Sequence, residues 1–151
     1  VRVRYRQNTR SRMTVGANQT LTTGIAAPIQ YPTTDVDTDG GADTVNFRVR
    51  GRFPGPKLVK GQIRLAATLN ANDDVIVRIL KNGVPLAQVT HEPNGGSIEY
   101  SFAVDRVVDI VEDECGKATA DLTIQATVTS AGTITVLNTA TMSYFEVTDL
   151  G

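Results

Sequence analysis

The chain is 151 residues long, with fifteen basic and sixteen acidic groups, one His, one Cys and no Trp, which is the length and composition of a single domain. Its unusual feature is eighteen Val, nine Ile and twenty Thr. These side chains are stiff at the first torsion and suit a pleated strand, so a helical bundle is excluded.

In chain order, residues 1–12 come first. They carry Arg2, Arg4, Arg6, Arg10 and Arg12 and no acid, while the other 139 residues hold ten basic and sixteen acidic groups. This reads as a basic arm on an acidic body, residues 13–151. Val1, Val3 and Tyr5 alternate with Arg2, Arg4 and Arg6, which predicts an extended segment that docks as an added strand on a neighbour. The apolar core of a secretory leader is missing from this stretch.

Ile25 to Tyr31 reads as a strand that Pro28 confines to a sheet edge. An Asp-rich turn follows from Asp35 to Asp43. Val45, Phe47 and Val49 then alternate with Asn46, Arg48 and Arg50, which predicts a half-buried strand. Phe53-Pro54-Gly55-Pro56 is a breaker cluster. Ile63 to Leu69 alternates again, and Val75 to Leu80 is apolar on both faces apart from Arg78, the pattern of a strand covered on both sides.

Lys81-Asn82-Gly83-Val84 predicts a tight hairpin, because Asn-Gly tolerates positive φ at both central positions. Leu86 to Thr90 returns, and Pro93 to Gly96 turns into a strand over Ile98 to Val104, with a separate short strand at Val107 to Val111. Leu122 to Thr129 and Thr133 to Val136 are regular strands. The apolar parity then changes between Ala140-Met142-Tyr144 and Phe145-Val147, which suggests a β-bulge. Many short strands without a helix predict a β-sandwich or barrel.

Little in this chain suggests catalysis or a cofactor. The sole imidazole, His91, stands beside a turn and reads as a surface residue, and Cys115 lies among Glu112, Asp113 and Glu114, whose charge opposes a thiolate. With one Cys there is no internal disulfide, and no run reaches the roughly 18–20 apolar residues of a membrane helix. Asp35, Asp37 and Asp39 with Gly40 and Asp43 match part of a calcium loop, but Asn46 stands where a bidentate Glu is needed. A solvated turn explains the same residues. Arg48, Arg50 and Arg52 form a basic stripe, yet the acidic body and few aromatics argue against nucleic acid.

Several segments resemble the jelly roll of tumour-necrosis-factor-like and complement-globular-head domains, in the form common among bacteriophage virion proteins. They are Gln19-Thr20-Leu21, Ile25 to Tyr31, the Asp35-to-Asp43 turn, Phe47-Arg48-Val49, Ile79-Leu80-Lys81-Asn82-Gly83-Val84 and the closing Tyr144 to Gly151. The step Arg52 to Lys57 departs from that pattern by lacking a Tyr. The resemblance implies an all-β antiparallel jelly-roll sandwich of about eight to ten strands that forms a homotrimer without enzymatic activity. It further implies a capsid decoration (cement) protein on the outer capsid surface of a virion, partnered by the major capsid protein. Val1, Arg2, Val3, Arg4, Tyr5, Arg6, Arg10 and Arg12 would bind that partner, and Tyr100, Phe102 and Tyr144 would form the trimer contact. The rivals are a receptor-binding head of a tail fibre, using loops at Asn70 to Asp73 and His91 to Gly96, and a secreted trimeric signalling ligand.

Overall fold

The computed structural model of the chain describes residues 9–21, 27–38, 40–51, 54–69, 72–91, 96–111, 120–128, 133–137 and 143–150. The described residues contain strands and no helix. In order they are β1 (Arg10–Thr14), β2 (Gln19–Leu21), β3 (Ala27–Pro28), β4 (Thr33–Asp37), β5 (Ala42–Asp43), β6 (Arg48–Gly51) and β7 (Gly55–Leu69). Then come β8 (Val75–Lys81), β9 (Val84–His91), β10 (Gly96–Ile110), β11 (Ala120–Val128), β12 (Thr133–Val136) and β13 (Tyr144–Asp149).

Two antiparallel sheets result. In the first, β7 pairs with β10 along one edge. Its other edge is shared by β13, which leads to β1 and β4, and by β12, which leads to β2. The second runs β5-β6-β11-β8-β9, with β3 also on β11. This is the all-β antiparallel jelly-roll sandwich that the resemblance implies, built from thirteen strands among the described residues where eight to ten were expected, because several of them are short edge pieces.

The period of two puts one apolar row from each strand between the sheets. Val59, Ile63 and Leu65 of β7, Val75, Val77 and Ile79 of β8, and Leu122 and Ile124 of β11 are all almost fully buried. Phe145 of β13 meets Tyr31 with ring centroids 6.0 Å apart, and both side chains are wholly buried. Burial pushes the Tyr31 hydroxyl far above its ordinary pKa, so it stays protonated. Gly61, opposite Phe145 on β7, makes room for the other sheet. A Cβ there would stand 2.5 Å from the δ-methyl of Ile124 and 3.2 Å from its γ-methylene. Gly61→Ala is therefore expected to cost about 1–3 kcal/mol. Ile124→Val, which removes that methyl, should return part of the loss. Urea unfolding of the two single variants and the double variant checks this; additive losses would contradict it.

Several predicted elements differ from those observed. Asp35 and Asp37 lie in β4, paired with β1, rather than in a turn. Val45 is 80% exposed and Phe47 adopts φ 54°, so the predicted strand over Val45 to Arg50 starts only at Arg48. The carboxylate of Asp43 explains this. It accepts from the backbone N–H groups of Val45 and Asn46 and from the side chains of Asn46 and Arg48, which bends the chain into a local turn.

Gly55 and Pro56 begin β7 instead of breaking it, and Val107 to Ile110 continues β10 without a gap. No register shift occurs within β13. Ile134 and Val136 face the core in β12, and Phe145 and Val147 do so in β13. The parity change thus comes from two separate strands and not from a bulge at Tyr144. The hairpin at Asn82-Gly83 is as predicted, with φ of 50° and 80°.

Candidate interaction surfaces

The predicted boundary between arm and body falls inside β1, so Arg10 and Arg12 belong to the sandwich. The Arg10 guanidinium lies 2.8 Å from Glu146. Arg12 lies 3.5 Å from Asp35 and stacks 4.1 Å over the Tyr144 ring. Both charges are engaged on the outer face of the first sheet, because even-numbered residues of β1 and β13 share that face. Val1, Arg2, Val3, Arg4, Tyr5 and Arg6 lie outside the described residues, as do Asp39, Arg52 and Cys115.

The partial calcium loop is a set of anionic caps. Asp37 Oδ1 accepts from the Ser11 hydroxyl and the Gly41 N–H, and Oδ2 from the Ala42 N–H, while Asp35 faces Arg12. Oxygens aimed at N–H and O–H donors point away from cation chemistry. No cluster of three metal-ligating side chains occurs among the described residues. Hydrogen bonds from the side chain and backbone of Asn46, and from Arg48, hold the Asp43 carboxyl at about 2, below its ordinary 3.8. A depressed folded pKa means that this carboxylate stabilises the fold above about pH 4. The contribution is lost as pH falls from about 4 to about 2. Asp43→Asn should flatten that part of the acid-unfolding curve; an unchanged curve would contradict it.

Arg48 and Arg50 pair internally as well. Arg48 lies 3.0 Å from Asp43 and 2.6 Å from Asp121, and Arg50 lies 3.3 Å from Asp121. Arg48 and Asp121 line an open polar hollow with Asn46, Asn82, Thr123 and Gln125 on the outer face of the second sheet.

His91 is not a surface turn residue. It ends β9 half-buried, with its ring centroid 4.5 Å from that of Tyr100 and 5.8 Å from that of Phe102. Its Nε2 has no hydrogen-bond partner among the described residues. An imidazole walled by two aromatic rings is a packing group and is poorly placed to serve as a general base. Of the three aromatics expected at a trimer contact, Phe102 is 6% exposed inside the core, and Tyr144 lies beneath Arg12. Only Tyr100 is open, at 41%.

The side where β9 and β10 face each other across the sandwich carries features that sequence reasoning missed. β10 pairs with β7 along fifteen residues, and its other edge pairs with no strand among the described residues. Two cations cap this opening: Arg106 donates to the Leu86 carbonyl and Lys81 to the Asp109 carbonyl. On its outer face Asp105, Val107 and Asp109 form a row, with Val111 just beyond. Val107 is 55% exposed, Val111 75%, and Val84 at the start of β9 61%. The alternation of Asp105, Val107, Asp109 and Val111 is visible in the sequence. It is concealed there by reading Val107 to Val111 as a separate strand.

No protein-family model and no curated protein matches the chain. Solved structures do. The chain is similar to the structure of Eiger TNF from S. frugiperda, with 15% identity, a TM-score of 0.66, and coverage of 97% of this chain and 94% of that one. It is also similar to the globular domain of zebrafish complement 1qA protein, with 9% identity, a TM-score of 0.61, and coverage of 96% and 98%. At these identities the likeness establishes architecture: the chain has the jelly-roll fold of tumour necrosis factor and complement globular-head domains.

Proposed function

We propose that the protein is a non-catalytic binding module that works as a homotrimer and coats the outer surface of a bacteriophage capsid. The observation that carries the self-association is the open β9/β10 side, where Val107, Val111 and Val84 are exposed beside an unpaired strand edge and Tyr100 is exposed farther along β10. Exposed apolar groups beside a free edge mark a surface meant to be covered. The absence of catalysis is supported by the packing of His91 between aromatic rings and by the internal pairing of Arg10, Arg12, Arg48 and Arg50.

The capsid as target is supported by the likeness of the sequence segments to virion jelly rolls. Co-sedimentation of the protein with empty heads tests this. Saturable binding that weakens between 50 and about 500 mM salt is expected, since exposed ion pairs are screened. No binding at low salt would overturn the capsid assignment. A signalling ligand is the second reading, favoured by the similarity to Eiger TNF; binding to cell surfaces and not to capsids would select it.

A further inference from the structure

We propose that the segment Val1–Arg6 of one copy adds as an antiparallel strand to the open edge of β10 in a second copy. This rests on the reading that copies associate through the β9/β10 side, and it names the element that joins them.

The acceptor is defined by three features. Its edge pairs with no strand among the described residues, and a further strand can add there by displacing Lys81 from the Asp109 carbonyl. Its outer row holds Asp105 and Asp109, neither in an ion pair among the described residues, on either side of the exposed Val107. Its inner row holds the buried Val108 and Ile110.

The donor segment matches both rows in a single register. If Arg2 stands opposite Asp109, then Arg4 faces Val107 and Arg6 faces Asp105. On the other face Val1 meets Ile110, Val3 meets Val108, and the Tyr5 ring meets Arg106. Two opposite-charge pairs and two apolar pairs thus form across the new strand, and pairs of both kinds stabilise a sheet. A shift of one residue would set Arg against the apolar row, and a shift of two would leave one Arg–Asp pair instead of two, so this register is favoured.

Geometry favours a second copy over the same one. β1 is separated from β10 by β13 and β7, which is three strand spacings or about 14 Å. Eight extended residues span about 26 Å. Crossing the sheet end would therefore consume about half of residues 1–8 and leave too few for the six-residue pairing.

The test uses the full chain with Cys115→Ser, to which Arg4→Cys and Val107→Cys are added. Mild oxidation should yield covalent oligomers on denaturing gels, while Arg4→Cys with Thr34→Cys, on the opposite edge strand β4, should not. Asp105→Lys with Asp109→Lys should weaken association at least ten-fold by sedimentation, and adding Arg2→Asp and Arg6→Asp should restore it. Circular dichroism confirms that each variant is folded. A chain that is oligomeric but gives no intermolecular disulfide, or only an intramolecular one, overturns the strand addition and leaves the self-association reading intact. A parent chain that is monomeric overturns the self-association reading itself.

Discussion

Lys57→Met is expected to destabilise the sandwich by about 3–5 kcal/mol, because it removes the cation that stands beside the buried Asp149 carboxylate. The Lys57 ammonium stands 3.1 Å from Asp149 Oδ2, with the two side chains 3% and 6% exposed. They are near enough to pair by charge but are not aligned as a hydrogen bond. The two residues are direct cross-strand partners on β7 and β13, on the inner face at one end of the core. Removing both charges has the opposite expectation. Lys57→Met with Asp149→Leu should be neutral or more stable than the parent by about 1–4 kcal/mol, since the desolvation of two ions is no longer required. Urea unfolding distinguishes the cases. At a slope of about 2 kcal/mol/M, the single variant's midpoint falls by roughly 2 M. A single variant within 1 kcal/mol of the parent would show that the pair is solvated.

Phe145→Ala should cost about 3–5 kcal/mol, the usual loss for removing a fully buried aromatic side chain and leaving part of its cavity. Phe145 is 0% exposed and packs on Tyr31, opposite Gly61 and near where Ile124 crosses from the other sheet. The tight fit at Gly61 limits how far the neighbours can close the gap. Val147→Ala, on the same row but near the end of β13, should cost less because Val is smaller. Calorimetric melting of both variants checks the order; an equal loss would contradict the central position given to Phe145.

Much of the fold is legible in the sequence because alternation is a local property. Ile63 to Leu69, Leu122 to Ala126 and the Asn82-Gly83 hairpin each occur where periodicity and turn chemistry place them. The failures have a shared cause in tertiary partners. Asp35 and Asp37 look like turn formers, yet Asp37 pairs with Ser11 of β1, and Asp35, skipped where the β1–β4 register shifts, faces Arg12, so both lie within a strand. Val45 and Phe47 follow a strand pattern that the Asp43 side chain overrides by capping a turn. Pro56 looks like a breaker but stands at the first turn of pairing in β7, opposite Asp109.

Surfaces are less legible than the core. Arg10 and Arg12 share the character of the basic run before them, and only the positions of Glu146 and Asp35 across the sheet show that their charges are taken. Tyr100, Phe102 and Tyr144 are equally aromatic on paper, but one is open, one is core and one lies under a guanidinium. His91 reads as a turn residue until β10 brings two rings against it. The row Asp105, Val107, Asp109 gains meaning from the open edge that carries it, and edges are set by strand order, which alternation does not encode.

The central claim is that the exposed β9/β10 side is covered by further copies of the chain, and sedimentation equilibrium of the full chain at micromolar concentration tests it most directly. A mass three times the 16.2 kDa of one chain is the predicted result. A single-chain mass that persists as concentration rises would contradict it.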